Sequence, residues 1–176
     1  MIKIHLGCGE RYFKNWTNID IEAHKLDIKQ DIRKPLPFEN NSVDFIYNEH
    51  VLEHFIPTDG IQIIKNCYKI LKPNGVLRTA CPDLFDIVHK YLSNWRDQDW
   101  IINGGHDFIR TKAEMLNMCF SSWGHKWMYD EEEMQRRLKE GGFSKLETCK
   151  HSKSKYTELS NLETRINSIL IIEATK

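Results

Sequence analysis

A series of short apolar runs, each closed by a turn signal, constrains this chain more than any other feature. IKIHL (2–6) alternates and stops at Gly7, as a strand does on entering a tight turn. WTNIDI (16–21) is a second strand, HKLDIKQDI (24–32) alternates through Leu26 and Ile28, and VDFIY (43–47) follows the loop RKPLPFENNS. Apolar residues from Val51 to Leu71 then recur at helical spacing, interrupted near Pro57 and Gly60 and ended by KPNG. GVLRTAC (75–81) is the next strand, stopped by Pro82. Strands joined by crossovers build an α/β fold with a doubly wound, mostly parallel sheet covered on both faces. The rhythm changes at the end, with a helix over 130–143, a strand near 144–149, a loop and a strand over 168–174. With no helix between them, the last two strands are expected to pair as an antiparallel hairpin.

A length of 176 residues and 40% hydrophobic composition suit one domain spanning 1–176. The 25 basic and 25 acidic residues balance, so no global field draws the chain to nucleic acid or an anionic membrane. No apolar run reaches the roughly 20 residues that span a bilayer, and IKIHLG is not a signal-peptide pattern. The expectation is a soluble cytoplasmic protein without membrane insertion. Five cysteines, widely spaced and without C-x-x-C, suggest neither a disulfide framework nor a structural zinc site.

Ligands of such sheets bind beyond the carboxyl ends of the strands. There the glycines of LGCGE let the backbone approach a ligand and turn its amides toward an anion. Asp20 ends the second strand, where a carboxylate can accept both hydroxyls of a ribose. It follows Gly9 by 11 residues, short of the roughly 20 of a dinucleotide fingerprint, so a dinucleotide fold is disfavoured. Asp31 and Ile32 follow the third strand and suit an exocyclic amine and a flat base, and Asn48 and Glu49 end the fourth.

LGCG, NIDI, DIRKPLPFENNSVDFIYNEHVLEHF, ILKPNGVLRTACPDL and LKEGGF, in this order, resemble the class I S-adenosylmethionine-dependent methyltransferases, in particular the small type 11-like group. The likeness covers most of the chain apart from 86–126. It implies a Rossmann-like fold and S-adenosyl-L-methionine as cofactor. By that likeness Gly7, Cys8 and Gly9 border the methionine portion, Asp20 in NIDI with Ile21 beside it holds the ribose, Asp31 and Ile32 flank the adenine, and Asn48 and Glu49 lie near the sulfonium. Arg11 stands where the fuller motif has a third glycine, the first crossover helix is shortened, and the N-terminal lid helix of many relatives is missing. A pocket so reduced needs walls from 86–126, from a homodimer or partner subunit, or it holds cofactor weakly.

NEHVLEHF (48–55) contains H-x-x-E-H, a zinc signature, with His50 and His54 four apart and Glu53 between. A zincin carries this motif on a long helix, whereas here it falls where a strand ends and a crossover begins, so the reading is incidental and no metal is expected. For a hydroxyl acceptor the general base is sought in His125, Asp83 and His50, with His106 also in view. Trp123, His125, Trp127 and Tyr129 gather aromatic faces around an imidazole, suited to a sulfonium or a sugar ring, or simply to packing. Residues 84–129 are expected to form a helical insert capping the acceptor site, and the basic loop 150–165 is expected to be solvated. The expected function is methyl transfer to oxygen or nitrogen of a small-molecule or glycan-like acceptor, the glycan preference resting on family analogy. The alternatives are a catalytically weak cofactor-binding subunit of a larger complex and, remotely, a zinc peptidase.

Overall fold

The alternation in IKIHL becomes β1 (Lys3–Leu6) in the computed structural model, which describes residues 1–176. It is followed by β2 (Thr17–Asp20), β3 (Ile28–Lys29) and β4 (Val43–Glu49). No helix joins these four strands. The ten residues between Leu6 and Thr17 must turn twice and return the chain to the sheet, so the shortened first crossover has no helical turn left. Beyond β4 the helical pattern divides into a single 3₁₀ turn (Leu52–His54) and α1 (Pro57–Ile70). Pro57 starts α1 because its missing N–H is unneeded in the first turn. Then come β5 (Leu71–Cys81), α2 (Leu84–Leu92), α3 (Asp99–Ile102), α4 (Lys112–Ser121), α5 (Glu131–Glu140), β6 (Lys145–Thr148) and β7 (Leu170–Thr175). Asp130 caps α5 by accepting the Glu133 N–H, and three glutamates in its first turn face the positive end of the helix dipole.

The seven strands lie in the order β3-β2-β1-β4-β5-β7-β6. The first five are parallel, and β7 runs antiparallel to both β5 and β6. β6 and β7 therefore pair antiparallel as expected, with β7 inserted between β5 and β6.

Strand parity sorts the two faces. Ile4, Leu6, Ile46, Leu77 and Ile172 pack against Ile63, Ile64 and Cys67 of α1 and Met134 and Leu138 of α5. Phe45, Tyr47 and Val76 point the other way and are covered without an α-helix, by Phe13 and Trp16 from the β1–β2 connection and by Tyr156, Leu159 and Leu162 from the β6–β7 loop, where Thr157–Leu159 make one 3₁₀ turn. That loop is also held by charge. Arg78 on β5 is fully buried, its Nε 2.6 Å from Glu163 and its Nη1 2.6 Å from Glu173, directly opposite on β7. The basic side chains Lys150, Lys153, Lys155 and Arg165 are exposed, as a solvated basic loop requires, while Glu163 and Leu159 hold the loop to the sheet beneath it.

Residues 84–129 leave and rejoin at one neck, where Asp83 pairs with Tyr129 and the Leu84 N–H donates to the Tyr129 carbonyl at 2.8 Å. Between these points Ile87, Ile101, Ile109, Met115, Cys119 and Met128 form a separate small core. α3 lies in this segment between α2 and α4. No helix is long and apolar enough to cross a membrane.

Candidate active site

Two cavities meet at the carboxyl edge of the parallel strands. The larger, about 740 Å³, is lined by Gly7, Cys8 and Gly9 after β1, Asp20 and Ile21 after β2, Asp31 and Ile32 after β3, and Glu49 and His50 after β4. Every residue expected at the cofactor is on this wall except Asn48. Asn48 is 1% exposed and accepts the Thr79 hydroxyl at 2.7 Å, so it ties β4 to β5. The pleat explains the division, since adjacent residues 48 and 49 must point to opposite faces.

Gly7 has φ +67°, and a Cβ there would stand 2.5 Å from Val51 Cγ2, so only glycine fits. Gly9, at φ +50°, would place a Cβ in open space, which leaves its backbone bare beside the cavity. Asp20 fixes the turn, accepting the Gly9 N–H at 2.9 Å on one oxygen and the Glu22 N–H at 2.9 Å on the other. Each oxygen keeps a further lone pair for a hydroxyl. Asp31 is gripped by Arg33, with Nη2 at 2.8 Å, and this bond holds its carboxyl down at about 2. Cys8 is buried, which pushes its thiol up to about 11 and makes it a wall rather than a nucleophile.

Glu49 turns from the cavity to the β6–β7 loop. It accepts the Thr164 N–H at 2.9 and 3.0 Å, the Thr164 hydroxyl at 2.6 Å, the Arg165 N–H at 3.1 Å and the Ser168 hydroxyl at 2.6 Å. Burial pushes its carboxyl upward, but the bonds from Ser168, Thr164 and Arg165 outweigh this and hold it below the ordinary glutamate value. Thr164 and Arg165 thereby become a wall of the cavity. Sequence reading placed Arg165 near this edge but missed Thr164, since its partner Glu49 is 115 residues away and no motif marks it.

The second cavity, about 570 Å³, lies between the sheet edge and the 84–129 segment and shares His50, His54 and Arg165 with the first. Asp83, His106, Trp123 and His125 line it. All three residues expected in proton transfer, His125, Asp83 and His50, therefore face one space. His125 Nδ1 lies 2.7 Å from the Cys119 carbonyl, which can only accept, so Nδ1 carries the proton and Nε2 the free lone pair. Asp83 caps α2 through the Phe85 N–H at 2.9 Å, while burial raises its carboxyl above the usual range. His50 is held in the left-handed region at φ +51°, with Nε2 3.1 Å from Ser168 Oγ and Nδ1 3.2 Å from Glu53 Oε1. Ser168 gives its proton to Glu49, so His50 Nε2 is the donor of that contact. The aromatic run separates: Trp123 joins Trp100 and His106 in edge contacts on the cavity wall, Tyr129 is buried in the main core, and Trp127 lies near Arg137 outside. His50 precedes one 3₁₀ turn, so no long helix carries the H-x-x-E-H pattern.

Residues 5–79 match the family model described as "Methyltransferase domain", of type 11. A solved structure from Thermotoga maritima, described as an SAM-dependent methyltransferase and "possible histamine N-methyltransferase", superimposes with a TM-score of 0.62, covering 99% of this chain and 82% of that one at 16% identity. The chain has the class I methyltransferase fold, and its residues 5–79 resemble that family's domain. A methyltransferase in complex with the Trm112 activator of Haloferax volcanii shares the class I fold at a TM-score of 0.56, with 14% identity over 99% of this chain and 81% of that one. A "Probable S-adenosylmethionine-dependent methyltransferase" of Mycolicibacterium smegmatis is 26% identical over 98 residues, 46% of this chain. The matched region is 37% of the length of that relative.

Proposed function

We propose that this methyltransferase domain transfers a methyl group from S-adenosylmethionine to oxygen or nitrogen of a small or glycan-like acceptor. The observation that carries the reading is the pair of cavities joined at His50 and His54, one edged by the glycine turn and Asp20, the other by His125 and Asp83. The residues fit the cofactor. Gly7 to Gly9 give a bare backbone for the methionine portion, Asp20 retains lone pairs for the ribose diol, and Asp31 with Ile32 borders a space for the base. Bound there, the cofactor supplies an electrophilic sulfonium methyl. The protein aligns the acceptor along the line joining the cavities, keeps water out with the Thr164–Arg165 wall, and offers the His125 Nε2 lone pair for a hydroxyl proton.

The glycan-like acceptor rests on family analogy and on the aromatic lining of Trp100 and Trp123, since flat rings stack on sugars. A second reading, a weakly active subunit completed by a partner, is favoured by the exposed apolar residues Phe85, Leu92 and Phe108 on the 84–129 segment and by the activator-bound relative.

Calorimetry with S-adenosylmethionine and its demethylated product tests both. The isolated chain should bind each, and Asp20→Ala should weaken binding by roughly 10- to 100-fold, the value of one lost charge-assisted hydrogen bond of about 1.5 to 3 kcal/mol. Absence of binding to the wild-type chain would refute the autonomous enzyme and favour the partner-dependent one.

A further inference from the structure

Glu53 is a buried carboxyl, 0% exposed, whose two oxygens both lack a hydrogen-bond partner. The imidazole of His50 lies beside it, its Nδ1 3.2 Å from Oε1 without the alignment of a hydrogen bond, and no lysine or arginine pairs with it. A carboxylate taken out of water without donors is costly enough that a protein keeps one only when something else meets the charge. On its other side stand two imidazoles. The ligand atoms of Glu53, His54 and His125 all lie within 4.8 Å of one another, and the two rings are 5.1 Å apart between centroids.

We propose that Glu53, His54 and His125 bind one divalent cation of the zinc class at the seam between the two cavities. Two imidazole nitrogens and a carboxylate form a known catalytic zinc donor set, which leaves a fourth position for water or substrate. In a tetrahedral shell with bonds of roughly 2.0 to 2.2 Å the donor atoms sit about 3.3 to 3.6 Å apart, so closure from within 4.8 Å needs side-chain shifts of about an ångström. The outer contacts are already arranged. Nδ1 of His125 donates to the Cys119 carbonyl, which orients the ring and directs the Nε2 lone pair outward, as metal-bound histidines require. The backbone at Glu53 is fixed too, its carbonyl accepting the Lys126 N–H at 2.8 Å and the Trp127 N–H at 3.1 Å, which draws the His125 segment against the 3₁₀ turn.

This is not the peptidase signature, because His50, the first histidine of H-x-x-E-H, is replaced as a ligand by His125, 75 residues further along the chain. A cation here would polarise an acceptor oxygen in the second cavity, a consequence that rests on the methyl-transfer reading. It would also occupy the His125 Nε2 lone pair otherwise offered as a base. The binding claim needs neither cofactor nor acceptor.

The test is titration of the chelator-treated full chain with cobalt(II) and with zinc, read by the visible absorption of bound cobalt and by calorimetry. One saturable site per chain is expected, with a rise in Tm on adding zinc that chelator reverses. His125→Ala and Glu53→Gln should each weaken binding by more than the roughly 10- to 100-fold that loss of an outer-shell partner produces. His24→Ala, on an exposed histidine, should leave it unchanged. If Glu53→Gln does not fold, His54→Ala replaces it in the binding series. Absence of saturable binding, or affinity unaltered by His125→Ala in a folded chain, would overturn the site and leave the cofactor-binding reading untouched.

Discussion

Replacing Glu49 by Gln exchanges one carboxylate oxygen for an NH₂ group and separates two roles for this residue. One is a contact with the cofactor, as its place at the end of β4 suggests. The other is to clamp the β6–β7 loop. The side chain accepts from Thr164, Arg165 and Ser168, with its shortest bonds the two hydroxyl contacts of 2.6 Å. Hydrogen bonds to a charged acceptor contribute about 1.5 to 3 kcal/mol and neutral ones about 0.5 to 1.5, so losing the charge weakens each of the two best by roughly 1 kcal/mol. The Thr164 hydroxyl can rotate to accept from the new NH₂, which limits the loss. A net local destabilisation of about 2 kcal/mol multiplies the open population of the loop roughly 30-fold. Amide hydrogen exchange should therefore speed up by about that factor at Thr164 and Arg165, while amides of β4 and β5 keep their protection. Affinity for S-adenosylmethionine should fall with it, because the cavity loses a wall. Unchanged exchange at Thr164 and Arg165 with weakened cofactor binding would refute the clamp and assign the carboxylate to the ligand.

Two further outcomes concern stability. Arg78→Met should cost about 3 to 5 kcal/mol in urea unfolding, since it leaves the Glu163 and Glu173 carboxylates buried without a cation. Adding Glu163→Leu and Glu173→Leu should recover most of it, and an unchanged midpoint in the single variant would show that the triad is not closed in solution. His5 supplies a pH dependence: burial pushes its imidazole down to about 4, against about 6.5 in an unfolded chain, so the unfolded state takes up the proton first as pH falls. Its contribution is intact above pH 6.5, declines by about 3 kcal/mol between 6.5 and 4, and is level below that. His5→Gln should flatten the stability curve in that window, ahead of any loss from Asp31 and Glu49, whose lowered carboxyls titrate at lower pH. An equal slope in wild type and variant would show that His5 is solvated.

The lining of the larger cavity was legible because its parts sit at strand ends, where sequence order and space coincide. IKIHL into GCG, and NID into Asp20, each place chemistry within two or three residues of a predicted boundary, and the parallel order of β1, β2, β3 and β4 brings those boundaries to one edge. The assignment of both Asn48 and Glu49 to that edge ignored the pleat, which allows only one of two neighbours to face a given side. Arg78 was visible as a charge inside an apolar strand, yet its partners lie 85 and 95 residues away and no local rule names them. Nor does spacing reveal that His125 meets Glu53 and His54, a contact made by folding the 84–129 segment back at the Asp83–Tyr129 neck.

What walls the larger cavity follows from the same long-range contacts. The β6–β7 loop is fixed at two adjacent residues, Glu163 by Arg78 from below and Thr164 by Glu49 from the side. A loop pinned at neighbouring positions to β5 and β4 cannot move as a free lid without breaking a buried ion pair and a charged hydrogen-bond cluster together. Its next residue, Arg165, faces both cavities. Strain or loss at either anchor should therefore reach cofactor and acceptor sites at once, whereas changes confined to the 84–129 segment should alter the acceptor side and leave cofactor affinity in place.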